Sequence, residues 1–262
     1  MTCDGGRAGY SRGCGQRAFT LLELLVVIAI VSLLLAIILP SLRKVRQQAR
    51  AVVCAANLRS VGVGIHAYAH DYNDTIPFGP KGLPMAGGQF YTVTGNVTSL
   101  ISLYDGSPVG LGLLVDTYLA DQPKVLFCPG SDQPTDADKQ LANVGRRQAE
   151  GGYYYRHASV AMLTGVPDTF HIRLNQLGSN RNDRSISALV MDIQFLADPS
   201  LAIWGVITRT SHQRQVCNIL FADGQVGRQD NRDDRFTVDI GQNPYHALDR
   251  ILGAFETADE LH

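Results

Sequence analysis

His66 and His70 stand four residues apart. On a helix that spacing puts two imidazoles on one face, where they could hold a metal ion. No glutamate follows His66, so the zinc-protease pattern is absent, and the pair also reads as polar residues on an exposed helix surface. His212 is a possible ligand-site residue near the C-terminus. Asp223-Gly224, beyond it, reads as a structural turn in which the carboxylate caps the backbone and the glycine takes positive φ. Acidic residues such as Asp183 and Asp192 could contribute to a calcium site, but the sequence maps no ligand set, and the metal residues stay unknown. The five cysteines are Cys3, Cys14, Cys54, Cys128 and Cys217. None makes a Cys-x-x-Cys pair. Cys54 falls in a helical segment, where it reads as a small core hydrophobe. Cys128 with Cys217 is the one pair worth testing as a disulfide. There is no Gly-x-Ser-x-Gly elbow, no phosphate loop with lysine and no His-Glu-x-x-His, so the chain reads as a non-enzyme without a cofactor.

The elements that would position these residues begin with an apolar run. From Leu24 to Leu42 no residue is charged, and most are Leu, Ile, Val or Ala. As a helix the run is about 28 Å long, close to the roughly 30 Å of a bilayer's hydrocarbon core. It is apolar on every side, which does not suit a surface helix. A cleaved secretory signal is the nearest rival, but this run is too long and passes straight into Arg43, Lys44, Arg46 and Arg50. Glu23 sits within the apolar register, where a carboxylate needs a partner, such as a neighbouring subunit's terminal amine or backbone. Ahead of it, Met1 to Arg17 is glycine-rich and basic, with little to bury. The whole chain of 262 residues is nearly neutral, at a net charge of -1 and 45% hydrophobic. Such a balance gives no basic field for nucleic acid.

The segment Arg17-Ala18-Phe19-Thr20-Leu21-Leu22-Glu23-Leu24-Leu25-Val26-Val27 resembles the leader of type IV prepilins and type II secretion pseudopilins. The resemblance implies cleavage between Ala18 and Phe19 by a prepilin peptidase and methylation of the new Phe19 amine. Residue 18 is Ala where that family almost always has Gly. Glu23 would become the family's assembly glutamate, which neutralises a neighbouring subunit's terminal amine. Asn57-Leu58-Arg59 through His66 to Tyr72, the passage from Gly112-Leu113-Leu114 to Phe127-Cys128-Pro129, and Asn218 to Gly224 resemble a second group. This is the DUF1559 prepilin-type family of planctomycetes and relatives, with its closing H-X9-DG motif. Ten residues rather than nine separate His212 from Asp223.

The parts implied are a leader (1–18), a transmembrane or filament-core helix (19–42) and a soluble domain (43–262) that opens with an amphipathic helix (43–72). Leu42, Val45, Ala49, Val52, Ala56 and Val63 set that helix's spacing of three and four. Gly62 and Gly64 would let a sheet approach closely. Strands are expected at Gln89–Thr94, Thr98–Leu103, Gly152–His157, His171–Leu174, Ala188–Ile193 and Phe236–Ile240. A hairpin is expected over Val216–Val226. Leu111–Leu119 suggests a short helix, Val125–Gly130 a strand or turn, and Ser131–Gly151 a loop. Pro244–Phe255 reads as a terminal helix with Leu248, Ile251, Leu252 and Phe255 on one face. The expected fold is α+β and pilin-like, a long N-terminal helix on a small, mostly antiparallel sheet with long loops.

Three functions are in view. The first is a prepilin or pseudopilin-like subunit of a secretion or pilus system. It would be single-pass in the inner membrane, with its leader cytoplasmic, its C-terminal domain periplasmic, and homologous subunits as partners. The second is a membrane-tethered module that binds an envelope or extracellular ligand, with Tyr153-Tyr154-Tyr155 and Trp204 as aromatic surface. The third is a tethered hydrolase joining His212, Asp223 and a nucleophile.

Overall fold

The apolar run and the amphipathic segment form one helix, α1, over Leu21–Asp71. The computed structural model describes residues 20–79, 97–130, 132, 135–157, 172–243 and 247–262. Ala18, Phe19 and the expected strand at Gln89–Thr94 lie outside them. The chain divides into two compact units, one up to Arg46 and one over Gln47–His262. In the first, every large apolar side chain from Leu21 to Leu42 is exposed, which leaves an apolar surface far larger than a soluble monomer carries. This is the one helix among the described residues long and apolar enough to cross a membrane.

In the second unit the remainder of α1 buries one seam: Ala51, Cys54, Leu58, Val61, Ile65, Tyr68 and Ala69. Their spacing of three and four lines one side of a 3.6-residue helix. It is not the side expected from the sequence: Leu42, Val45, Ala49, Val52, Ala56 and Val63 are all exposed, because the stripe with Leu58, Ile65 and Tyr68 has more apolar surface to bury against the sheet. The seam lies on a five-stranded sheet of order β1-β2-β3-β5-β6. Its strands are β1 (Val97–Ser102), β2 (Ala149–Arg156), β3 (Ala188–Asp192), β5 (Val216–Phe221) and β6 (Val226–Asp230). All neighbours pair antiparallel. A two-stranded parallel pair, β4 (Phe195–Leu196) with β7 (Val238–Asp239), stands apart. Side chains alternate along each strand, so the sheet has two apolar faces. Tyr153, Tyr155, Val190 and Leu220 join the α1 seam. Tyr154, Met191, Cys217, Ile219 and Phe221 form a second core with helix α3 (Ala247–Asp259), through Ile251, Leu252 and Phe255. The sheet is therefore covered by a helix on each face, and the mostly antiparallel α+β arrangement expected from the sequence is present.

At Gly62 the approach of sheet to helix is close, because a Cβ there would lie 2.9 Å from Leu220 Cδ1. Gly64 has ordinary room, with Leu114 and Leu119 at 3.4 Å from a built Cβ.

Several local expectations are narrowed or corrected. The short helix expected over Leu111–Leu119 is a 3-10 helix at Gly110–Leu114, and turns rather than helix follow it. Val125–Gly130, expected as a strand or turn, takes the turn: it begins inside a second 3-10 helix, Pro123–Leu126, and ends in a turn at Pro129-Gly130. Ser131–Gly151 holds helix α2 (Ala137–Asn143) and the start of β2. Asp136 accepts from the Asp138 and Lys139 amides and so caps α2. Around Arg173 there are isolated bridges, to Thr75 and Gln176, rather than a strand.

Candidate functional site: a buried cluster of two thiols, a carboxylate and an imidazole

Cys54, Cys128, Asp192 and His212 converge beneath α1, with one ligand atom from each within 4.8 Å of the others and all four residues buried. Each comes from a different element. Cys54 belongs to the α1 seam. Asp192 ends β3, opposite Tyr153 of β2. Paired residues on neighbouring strands share a face, so both side chains point at the helix. Asn218 lies one place from Ile219, which pairs with Met191, and extends the same row onto β5. Cys128 arrives in the segment after the Pro123–Leu126 turn, whose backbone crosses β2 at Gly152. A Cβ on Gly152 would sit 2.7 Å from the Cys128 amide nitrogen, so the crossing requires glycine.

His212 is delivered by a backbone that its residue type resists. His212, Gln213 and Arg214 all have positive φ, at 53°, 52° and 59°. A left-handed turn costs a non-glycine residue about 1–2 kcal/mol, and here three come in a row. Polar contacts hold it: the His212 amide donates to Gly130 O at 2.8 Å and the Gln213 amide to Asp132 Oδ2 at 2.9 Å. Gly130 also makes room, since a Cβ there would be 2.2 Å from His212 Nδ1.

The contacts inside the cluster are short. Cys54 Sγ donates to Asp192 Oδ1 at 3.0 Å and lies 3.3 Å from the Tyr153 hydroxyl. Cys128 Sγ lies 3.2 Å from His212 Nε2. That same nitrogen is 3.4 Å from Asp192 Oδ2. Asn218 donates to Asp192 Oδ2 twice, from its backbone at 2.8 Å and from its side chain at 2.9 Å. Burial pushes the Cys54 thiol up, and its hydrogen bond to Cys128 and the Asp192 charge add to this. The adjoining Cys54 thiol draws Cys128 down against burial, with help from His212. Burial opposes a charged His212, yet Asp192 and Cys128 outweigh it and hold the ring at about 10.

This arrangement is poorly suited to nucleophilic catalysis. In a catalytic triad the carboxylate orients one ring nitrogen while the other meets the nucleophile. Here Cys128 and Asp192 address the same nitrogen, and none of the groups is open to a substrate. Two sulfurs, a nitrogen and an oxygen do suit a soft or borderline metal ion. They do not suit calcium at Asp192, because calcium takes oxygen ligands.

The other residues singled out in the sequence lie elsewhere. His66 and His70 are exposed on α1. His70 Nδ1 meets Asp71 Oδ1 at 3.2 Å. Asp183 is exposed in a turn at φ 57°. Asp223 Oδ1 accepts from the Gln225 amide at 2.9 Å, and Gly224 takes φ 85° in the turn between β5 and β6. Asp223 Oδ2 meets His262, not His212, at 3.1 Å. Cys54, Cys128 and Cys217 are all free thiols. Cys217 faces the α3 core while Cys128 faces the α1 core, so the sheet separates the pair considered for a disulfide.

At the other end of the chain, Glu23 finds its partner within its own helix. Thr20 donates to Glu23 Oε2 from its amide at 2.9 Å and from its hydroxyl at 2.8 Å. The Glu23 amide returns a bond to Thr20 Oγ1 at 3.2 Å. This is a capping box, which satisfies amides that the first helical turn leaves open.

The chain thus opens on an apolar helix, capped at Thr20 and Glu23, ahead of an α+β unit. Residues 14–39 match the family described as the prokaryotic N-terminal methylation motif. No curated protein and no solved structure matches the chain.

Proposed function

We propose that the chain is a non-enzymatic prepilin or pseudopilin-like subunit, cleaved between Ala18 and Phe19, methylated on Phe19 and assembled through α1. The match to the methylation motif over residues 14–39 carries this reading. The exposed apolar helix supports it, because that surface needs lipid or neighbouring helices to cover it. The protein sits in the inner membrane with the leader cytoplasmic and the α+β unit periplasmic. A type II secretion or type IV pilus-like machine draws it into a filament with homologous subunits, where Glu23 meets a neighbour's terminal amine. The three internal segments resembling the DUF1559 family support a relationship to that group.

N-terminal mass spectrometry, in hosts with and without prepilin peptidase, tests the reading. The expected result is a methylated Phe19 terminus only where the peptidase is present. An intact Met1 terminus in both hosts overturns it.

A second reading, a tethered ligand-binding module, loses most of its aromatic surface, since Tyr153, Tyr154 and Tyr155 are buried. What favours it is Trp204, 62% exposed beside Ile203 at 83%. Glycan or protein binding that survives Trp204→Ala would remove that support.

A further inference from the structure

We propose that Cys54, Cys128, Asp192 and His212 bind a zinc ion that ties α1 to the sheet. The inference is independent of the prepilin reading, because every ligand lies in the Gln47–His262 unit.

The ligand set comes first. Zinc accepts thiolate, imidazole and carboxylate together in a four-coordinate site. Magnesium and calcium prefer oxygen alone, so the two sulfurs count against them.

The geometry agrees. A zinc ion with arms of about 2.0–2.3 Å holds its ligand atoms roughly 3.3–3.8 Å apart. The cluster already has Cys54 to Asp192 Oδ1 at 3.0 Å, Cys128 to His212 Nε2 at 3.2 Å and His212 Nε2 to Asp192 Oδ2 at 3.4 Å, and one ligand atom from each residue lies within 4.8 Å of the others. Small side-chain rotations, outward for the closest pairs and inward for the widest, would give a tetrahedral hole. Four protein ligands with no open side is the form of a structural zinc site rather than a catalytic one.

The surroundings fit as well. Ligating carboxylates and thiolates are oriented by hydrogen bonds from outside the site. Asn218 supplies two such bonds to Asp192, and the Tyr153 hydroxyl stands at Cys54. Asn218 Oδ1 is fully buried and has no partner among the described residues. The left-handed turn at His212–Arg214 and the space kept by Gly130 both serve to bring one imidazole to this point. Strain of that kind persists where a function or a tight constraint holds it. As a zinc ligand, His212 would give that strained turn such a constraint.

Loading displaces protons, since zinc takes thiolates and a neutral imidazole. No oxidant or reductant is required.

The test uses the full chain, purified in detergent under reducing conditions from cells grown with added zinc. Elemental analysis should give about one zinc per chain. Exchange of zinc for cobalt should give the near-ultraviolet band of thiolate-bound cobalt and the visible bands of a tetrahedral ion. Cys128→Ser and His212→Gln should abolish both, while Cys217→Ser, a buried cysteine of the other core, should keep them. Asn218→Ala should weaken zinc binding about 10–100-fold without removing a ligand. The wild-type measurements need no variant and stand even if a ligand variant fails to fold. A metal-free wild-type protein that takes up no cobalt overturns the proposal. So does an intact mass lower by the two hydrogens of a Cys54–Cys128 disulfide in protein taken from the envelope, or a stoichiometric metal other than zinc.

Discussion

Thr20 and Glu23 exchange hydrogen bonds in both directions, so the glutamate expected to serve a neighbouring subunit already serves its own helix. The two roles predict different variants. Glu23→Gln keeps an acceptor for the Thr20 amide but removes the charge. Glu23→Ala removes both, at a cost of about 1 kcal/mol to the first turn. If assembly depends on charge, the two variants fail alike in cross-linking of subunits within the membrane. If Gln assembles normally and Ala does not, capping is what assembly requires.

Arg156 and Asp259 form an ion pair in the interior, with side chains 2% and 0% exposed. The Asp259 carboxylate also accepts from the Ser187 and Ala188 amides, each at 2.9 Å, and from Asn180 at 3.0 Å. The pair thus fixes α3 to the edge of β3. Asp259→Ala should destabilise the α+β unit by about 3–5 kcal/mol, because it leaves a buried guanidinium and the two backbone amides of Ser187 and Ala188 without their acceptor. Replacing both partners with apolar residues should cost less than the single change. Urea unfolding followed by tyrosine fluorescence reads both.

His157 is buried, and desolvation lowers its pKa from the ordinary 6.5 to about 3. Its Nε2 has no partner among the described residues. Between those values the unfolded chain binds a proton that the folded chain does not. Stability therefore falls as the solution is acidified from about pH 6.5 toward 3, by up to about 1.4 kcal/mol per pH unit from this group. His157→Gln should flatten that part of the urea midpoint against pH. An unchanged slope would show that His157 protonates without cost.

Two glycines in tight places should respond differently to alanine. A Cβ on Gly112 would lie 1.7 Å from the Ile101 carbonyl oxygen, which is backbone and cannot step aside. Gly112→Ala should cost about 1–3 kcal/mol or more, as overpacking does. At Gly62 the obstacle is the end of the Leu220 side chain, which can turn. Alanine also gains about 1 kcal/mol of helix propensity there, so Gly62→Ala should be near neutral. Thermal unfolding of the two variants side by side checks the ordering.

The sequence displays the elements that have a period. The β5–β6 hairpin around Asp223-Gly224 and the α3 face of Ile251, Leu252 and Phe255 could be read from spacing, and so could the helical period of α1, but not which of its faces is buried: the stripe through Val45, Val52 and Val63 is exposed, and the one from Cys54 to Tyr68 meets the sheet. Helix α2 could not, because Leu141 is its one large apolar residue and its start depends on the cap at Asp136. The cluster is illegible for another reason. Cys54 and Asp192 are 138 residues apart, and Cys128 and His212 are 84 apart. No short motif contains two ligands. Cys54 looked like a core residue and is one, but its sulfur also meets a carboxylate. Only the register of β2 against β3, with Tyr153 opposite Asp192, reveals that.

The strand order β1-β2-β3-β5-β6 follows the order of synthesis almost without interruption. A sheet of that kind can grow at one edge as each new strand leaves the ribosome or the translocon. Helix α1 does not share this convenience. Its seam is made first, yet the carboxylate that meets Cys54 emerges 138 residues later. Contacts so distant along the chain are slow to close. The oldest part of the unit thus waits longest for its polar partners, and the thiol of Cys54 stays without its carboxylate throughout that interval.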